Sequence, residues 1–226
     1  MSKFLDNLHE FFAAGGPFMY LNLISSTVAI AIIIERTVSL FRYGVNAAPF
    51  MNQLVRLVRE NQVDRAVKLC SAAPNAALAR VLRAGLTRAN RGEQEVSTAM
   101  EETILEVTPL IVKRIQSLWS LANIATLMGL IGTITGLIRS FAALGRASPA
   151  QKAELLSKGI SEAMNNTAFG LGIAVSCITA HLLLSNKAKG MVEEIELNAM
   201  RLENLLVRRA SGEMNPAEGG ATEKPA

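Results

Sequence analysis

A cluster of polar residues opens an otherwise apolar stretch of the chain. In "SEAMNNTAFGLG" the cluster consists of Glu162, Asn165, Asn166 and Thr167. A carboxylate at membrane depth needs a partner, water or a proton, so intramembrane groups of this kind usually mark an ion path. Glu162 has a second interpretation, a position at the membrane surface, because it begins the segment. Asn165 and Asn166 also have a second interpretation, because amide side chains can cap a helix or form hydrogen bonds between helices.

A second stretch, "GLIGTITGL", combines small and hydroxyl side chains at helical spacing. Thr133 and Thr135 offer hydroxyls, which donate and accept hydrogen bonds without carrying a fixed charge. Such a hydroxyl either forms hydrogen bonds along an ion path or bonds back to a carbonyl of its own helix. Glycines let a neighbouring helix approach closely in lipid, and those predicted to do so are Gly129, Gly132, Gly136 and Gly170. Helix packing alone is therefore an alternative to an ion path.

Three segments of the sequence predict membrane spans. Half of the 226 residues are hydrophobic, and the mean hydropathy is +0.28. Residues 11–34, 115–138 and 163–186 each lack Asp, Glu, Lys and Arg. At about 1.5 Å per helical residue, each segment covers roughly 36 Å, enough to cross a hydrocarbon core of about 30 Å. The first is too long for a cleavable signal peptide, so we expect it to remain as a span.

The other segments predict further helices and no strand, so the fold class is all-α. Helical periodicity continues from 35 to 114 with breaks at Pro74 and Arg91-Gly92, and from Glu93 it leads without interruption, through a kink at Pro109, into the second span. Long helices would thus extend from the membrane into a cytoplasmic helical bundle. The predicted segments are an extracytoplasmic amphipathic segment at 1–16, a first span at 17–41, a cytoplasmic helical region at 42–114, a second span at 115–144, a short extracytoplasmic loop at 145–158, a third span at 159–186, a cytoplasmic helix at 187–210 and a disordered tail at 211–226.

No group of residues in the sequence indicates catalysis or a metal site. His9 and His181 are isolated, and Cys70, in a charged region, cannot meet Cys177, inside the third span. No catalytic triad, phosphate loop or metal-ligand spacing occurs. We therefore expect neither an enzyme nor a bound cofactor or metal. The net charge of +4 does not indicate nucleic acid, because a membrane explains the basic residues.

Two segments resemble the signature segments of the MotA/TolQ/ExbB proton-channel family, most closely its TolQ/ExbB branch. They are "GLIGTITGLIRSF" and "GISEAMNNTAFGLGIAVS", and "AALARVLRAGL" and "IIIERTVSL" are similar to further segments of the family. The resemblance implies a multi-pass protein of the bacterial inner membrane with a periplasmic amino terminus and a cytoplasmic carboxyl terminus. The distribution of basic residues alone favours this orientation only slightly.

The resemblance also implies an assembly. It would be a homopentamer around a dimer of a single-span TolR/ExbD-like partner, whose membrane helix carries an aspartate. This chain has no Asp within its predicted spans, so that the partner would supply the carboxylate.

Residue roles follow from the same resemblance. Thr133 and Thr167 match the family's two channel threonines, and Glu162 matches a glutamate at the outer mouth or a lateral contact. They would form a proton pathway facing the partner's aspartate, with Thr135, Asn165 and Asn166 as further pathway or packing residues. The coupling ion would be H⁺, and Na⁺ stays open as an alternative. The chain departs from the family at Ser176, where a proline is usual. The third span would then lack a proline kink, although a serine can bend a helix slightly by bonding to its own backbone.

Two functions are thus open. The first is a stator subunit of a proton-driven motor that converts proton motive force into mechanical work on the cell envelope, for transport, envelope integrity or gliding motility. The alternative is a non-conducting membrane scaffold that packs helices and recruits cytoplasmic partners. A partner with an intramembrane aspartate distinguishes the first from the second.

Overall fold

The computed structural model describes Phe12 and residues 16–145 and 148–210. Seven helices and no strand occur in this part of the chain. They are α1 (Gly16–Tyr43), α2 (Ala47–Arg59), α3 (Val63–Ser71), α4 (Ala77–Thr87), α5 (Glu93–Val112), α6 (Ile115–Leu144) and α7 (Pro149–Ala210). The all-helical class predicted from the sequence is confirmed. Most of the amphipathic segment predicted at 1–16, and the tail predicted at 211–226, lie outside the described residues.

Three helical stretches of the described chain are long and apolar enough to cross a membrane. They are Gly16–Arg59, Glu93–Leu144 and Pro149–Arg209, whose apolar parts lie in α1, α6 and α7. Large apolar side chains on these helices remain open to the surroundings, for example Ile138 at 61% and Leu183 at 66% exposure. Side chains of this kind are stable next to lipid or another helix, so the chain is a multi-pass membrane protein.

The chain divides into two compact units. Within the described residues, unit one comprises Phe12, 16–36 and 114–185 apart from the gap at 146–147, and unit two comprises 37–113 and 186–210. The core of unit one is built mainly from small side chains of α1, α6 and α7, which allow the helices to approach closely. Its buried members are Ala29, Ala122, Ala125, Ile173, Ala174 and Cys177.

Unit two contains the short amphipathic helices. Consecutive helices from α2 to α5 pack against each other, and the breaks predicted at Pro74 and Arg91-Gly92 lie between helices. Gly92 has a φ of +103°, a left-handed conformation that favours glycine. The ion pair Arg80–Glu106 at 3.6 Å joins α4 to α5, and Arg88, the residue after α4, pairs with Glu95 of α5 at 3.7 Å.

The prediction of an uninterrupted helix from Glu93 into the second span is wrong. The helix continues through Pro109 and ends at Val112, because Arg114 adopts a φ of +58° that a right-handed helix does not allow. The guanidinium of Arg114 donates to Oε2 of Glu35 at 2.7 Å, and Oε1 of Glu35 accepts from Arg36 at 2.6 Å. The Arg114–Glu35 pair attaches the start of α6 to α1 and opposes the backbone cost of the break, while the Arg36–Glu35 pair lies within α1.

The connection predicted as a loop at 145–158 is mostly helical. The third helix begins at Pro149, whose fixed φ suits the first turn, and Ser148 precedes it with its hydroxyl 2.9 Å from Oε1 of Gln151. No break separates the third span from the helix predicted at 187–210, so both belong to α7.

Candidate functional site

Glycines bring α6 and α7 into close contact. Gly129, Gly132 and Gly136 are all buried and lie on one face of α6. A Cβ atom built on Gly132 would lie 2.8 Å from Cγ of Asn166, and one on Gly129 would lie 3.1 Å from the carbonyl oxygen of Asn166. Larger residues at these two positions would therefore force the helices apart.

The hydroxyls of Thr133 and Thr167 meet across this contact. They form a hydrogen bond with each other, although 34 residues separate them in the sequence. The Thr133 hydroxyl also lies 3.1 Å from the carbonyl oxygen of Gly129 and 3.3 Å from that of Ala163. The Thr167 hydroxyl lies 3.5 Å from the same Gly129 oxygen. Both threonines are half-buried.

This hydroxyl pair has more than one possible hydrogen-bond arrangement. The two hydroxyls carry one proton each, but four contacts are available to them, three with carbonyls and one with each other. Either threonine can donate to the other while the partner donates to a carbonyl. Such a pair can reverse its direction without breaking the contact between the helices, which is the property that a proton relay needs.

The other predicted polar residues lie around this pair with different partners. Asn166 is 1% exposed, and its Nδ2 donates to the carbonyl oxygen of Glu162 at 3.4 Å. Asn165 is half-buried. The Thr135 hydroxyl bonds to two carbonyls of its own helix, at 2.9 and 3.2 Å, as the packing alternative expects.

The carboxylate of Glu162 faces the start of α1. A Cβ on Gly16 would collide with this carboxylate, and Gly16 has a φ of +69° that also favours glycine. Glu162 and Thr167 are five positions apart, about 140° around the helix, so they lie on different faces. Among the described residues no hydrogen bond joins Glu162 to either threonine of the pair. Glu162 instead shares its face of α7 with Asn166 and Gly170, at intervals of four residues.

One buried polar residue, Asn22 of α1, was missed in the sequence. Its side chain is completely buried, and neither Nδ2 nor Oδ1 has a hydrogen-bond partner among the described residues. The available signal was an amide within the charge-free segment 11–34, since polar groups at membrane depth are costly. Helical periodicity could not show whether Asn22 is buried, because large apolar side chains occur on every face of the charge-free part of α1.

Comparison with known proteins identifies the family. Residues 73–197, more than half of the chain, match the family described as the MotA/TolQ/ExbB proton channel family. The chain belongs to this family. The resemblance predicted from the sequence is thereby confirmed, including its TolQ/ExbB-like branch. The matched residues include Thr133, Thr167, Glu162 and Asn166, whereas Asn22 lies outside them.

Individual relatives agree with this assignment. The ExbB-like 3 protein of Synechocystis sp. is 31% identical over 155 residues, which cover 68% of this chain and 73% of the relative. The ExbB-like 1 protein of the same organism is 30% identical over 178 residues, or 76% of this chain and 68% of the relative. The Tol-Pal system protein TolQ of Haemophilus influenzae is 29% identical over 99 residues, or 44% of this chain and 43% of TolQ.

Proposed function

We propose that this chain is the channel-forming stator subunit of a proton-driven motor in the bacterial inner membrane. The observation that carries the proposal is the hydroxyl contact between Thr133 and Thr167, which lies between two apolar spans of a family member. In this proposal protons pass between the pair and an aspartate of a single-span TolR/ExbD-like partner. Protonation of that aspartate removes the cost of exposing its charge to the apolar wall, so that the partner can move within the ring.

The proposed arrangement includes several parts. The amino terminus is periplasmic, and α2–α5 with the end of α7 are cytoplasmic. The assembly is a homopentamer around a partner dimer, it needs no bound cofactor, and the coupling ion is H⁺. The work acts on the cell envelope, and the names of the relatives connect it with biopolymer transport and the Tol-Pal system. The absence of Asp from the three apolar segments of the sequence supports the need for a partner carboxylate.

A non-conducting scaffold is the competing function. It is favoured by the Thr135 hydroxyl, which bonds to two carbonyls of its own helix, and by the close glycine contacts, which would hold the spans together in any case. In a scaffold the Thr133–Thr167 hydrogen bond would serve packing alone.

Substitution of one hydroxyl separates the two functions. Thr167→Val keeps the shape of the side chain and removes one of the two relay hydroxyls, so we expect proton uptake to fall about tenfold or more while assembly is unchanged. The measurement is pH-dye quenching in liposomes that contain this protein and the TolR/ExbD-type protein from the same genome. Replacement of Na⁺ by choline should leave the uptake unchanged.

The matched control is Thr126→Val. The Thr126 hydroxyl also lies on α6 but bonds to the carbonyl oxygen of Ala122 in its own helix at 3.0 Å, so its loss should leave uptake at the wild-type rate. Full uptake by Thr167→Val, or no uptake by the wild-type complex, would establish the scaffold instead.

A further inference from the structure

The buried amide of Asn22 has no explanation in the packing of α1. Asn22 is 0% exposed, and neither of its polar atoms has a hydrogen-bond partner among the described residues. A buried amide without a partner is destabilising, and a bundle surrounded by hydrocarbon offers no bulk water to relieve it. An apolar residue would serve better at this position if packing were its only role.

Asn22 lies where the three spans of unit one meet. A Cβ atom built on Gly170 of α7 would lie 3.4 Å from Nδ2 of Asn22. The same Cβ would lie 3.1 Å from Cα of Gly129 and 2.6 Å from the carbonyl oxygen of Ala125, both in α6. The amide of α1 and a backbone carbonyl of α6 therefore converge beside the same glycine of α7.

Gly129 connects this junction to the threonine pair. The Cα of Gly129 packs against Gly170. The carbonyl oxygen of Gly129 lies 3.1 Å from the Thr133 hydroxyl and 3.5 Å from the Thr167 hydroxyl. Asn166 is also buried near Gly129 and lies one helical turn from Gly170. Polar groups thus continue from the threonine pair into the interior of the three-span unit.

We propose that Asn22 binds a buried water molecule at this junction, and that this water extends the polar line from the threonine pair to α1. Buried waters typically form about three hydrogen bonds to polar groups that lack other partners. Nδ2 donates and Oδ1 accepts, and neither atom has another hydrogen-bond partner among the described residues. The water site stands on this geometry alone. Its part in ion transfer rests on the proposed function.

Water-edited solid-state NMR of the wild-type protein in lipid tests the site directly. With ¹⁵N labelling, magnetisation from water should reach Nδ2 of Asn22 roughly fivefold faster than the backbone amide of Ala29, which lies two turns further along the same face and is 2% exposed. Equal slow transfer to both groups would overturn the water site. This result does not depend on whether the protein conducts protons.

Proton uptake tests the second part of the proposal. Asn22→Leu removes both polar atoms and should lower uptake by the complex about tenfold, whereas Asn22→Ser, which still donates and accepts, should retain most of it. The matched control is Thr27→Val on α1, because its exposed hydroxyl bonds to the carbonyl oxygen of Leu23 at 2.9 Å.

The outcomes are distinct. Full uptake by Asn22→Leu overturns the role in ion transfer. If water magnetisation does not reach Asn22 in the wild-type protein and Asn22→Leu has a higher melting temperature, the Asn22 amide binds no water. If wild-type and Thr167→Val complexes both fail to conduct, the proposed function has failed, while the NMR measurement still decides the water site. If Asn22→Leu does not assemble, the uptake of Asn22→Ser decides: a loss similar to that of Thr167→Val overturns the proposal.

Discussion

The hydroxyls of Thr133 and Thr167 illustrate how little chemistry the proposed site requires. A hydroxyl carries no charge, so it is tolerated at membrane depth as long as it has a hydrogen-bond partner. Each threonine has the other as a partner, and each also reaches a backbone carbonyl. The charged group can then reside on a separate partner protein, where its protonation produces movement.

Cys70 allows a prediction at the level of a single residue of unit two. The thiol is 1% exposed, and burial raises its pKa from 9.0 to about 11, although the positive charge of Arg83 acts in the opposite direction. At pH 8 the folded protein should therefore contain about a hundredfold less Cys70 thiolate than an exposed cysteine, and alkylation should be slower by at least that factor. The measurement is the rate at which a maleimide alkylates Cys70 in a Cys177→Ala variant.

The matched control for this measurement is Ser71→Cys, combined with Cys70→Ala. Ser71 is the next residue of α3 and is exposed. Similar rates for the two thiols at pH 8 would contradict the burial of Cys70. Because folding raises the pKa of this thiol, its neutral form favours the folded state below about pH 9, and this stabilisation is lost as the pH rises through about 11.

At the scale of the helix, the glycine contacts between α6 and α7 control whether the threonine pair can form. Gly132→Ala would place a Cβ 2.8 Å from Cγ of Asn166, so that either this buried side chain or the two helices must shift. Overpacking of this kind costs about 1–3 kcal/mol of the free energy of unfolding. We expect a lower melting temperature in detergent together with reduced proton uptake.

The control for the glycine prediction is Gly172→Ala in α7. A Cβ there meets no atom within 4 Å, and alanine favours a helix over glycine, so the melting temperature should stay the same or rise. If both variants lose the same stability, the close approach at Gly132 does not limit the packing of α6 against α7.

For the whole molecule, the spans carry many exposed apolar side chains. Ile134, Ile138 and Phe141 of α6 are 50%, 61% and 62% exposed in the single chain. Lipid or other copies of the chain must cover these side chains. We predict that native mass spectrometry of the protein in nanodiscs gives a homopentamer that retains a dimer of the co-expressed single-span partner. A monomer or dimer without a central opening, also in native lipid, would contradict this prediction and support the scaffold.

The sequence by itself determined the all-helical class, the three spans and the family, but not every helix boundary, since the break at Arg114 and the helical start at Pro149 were predicted wrongly. These properties depend on local features, namely the length of apolar segments, helical periodicity and two signature segments around Thr133 and Thr167. The roles of these threonines came from the family resemblance rather than from spacing, since a threonine in a membrane helix bonds equally well to its own backbone. Thr135 does so.

Only the tertiary structure decided which polar groups meet. The hydroxyl contact joins residues 34 positions apart, and the burial of Asn22 requires α6 and α7 to pack against α1. Arg114, at the helix break, pairs with Glu35, which is 79 positions away in the sequence. Long-range contacts of this kind leave no periodic pattern in the chain, because each arises from the arrangement of whole helices rather than from neighbouring residues.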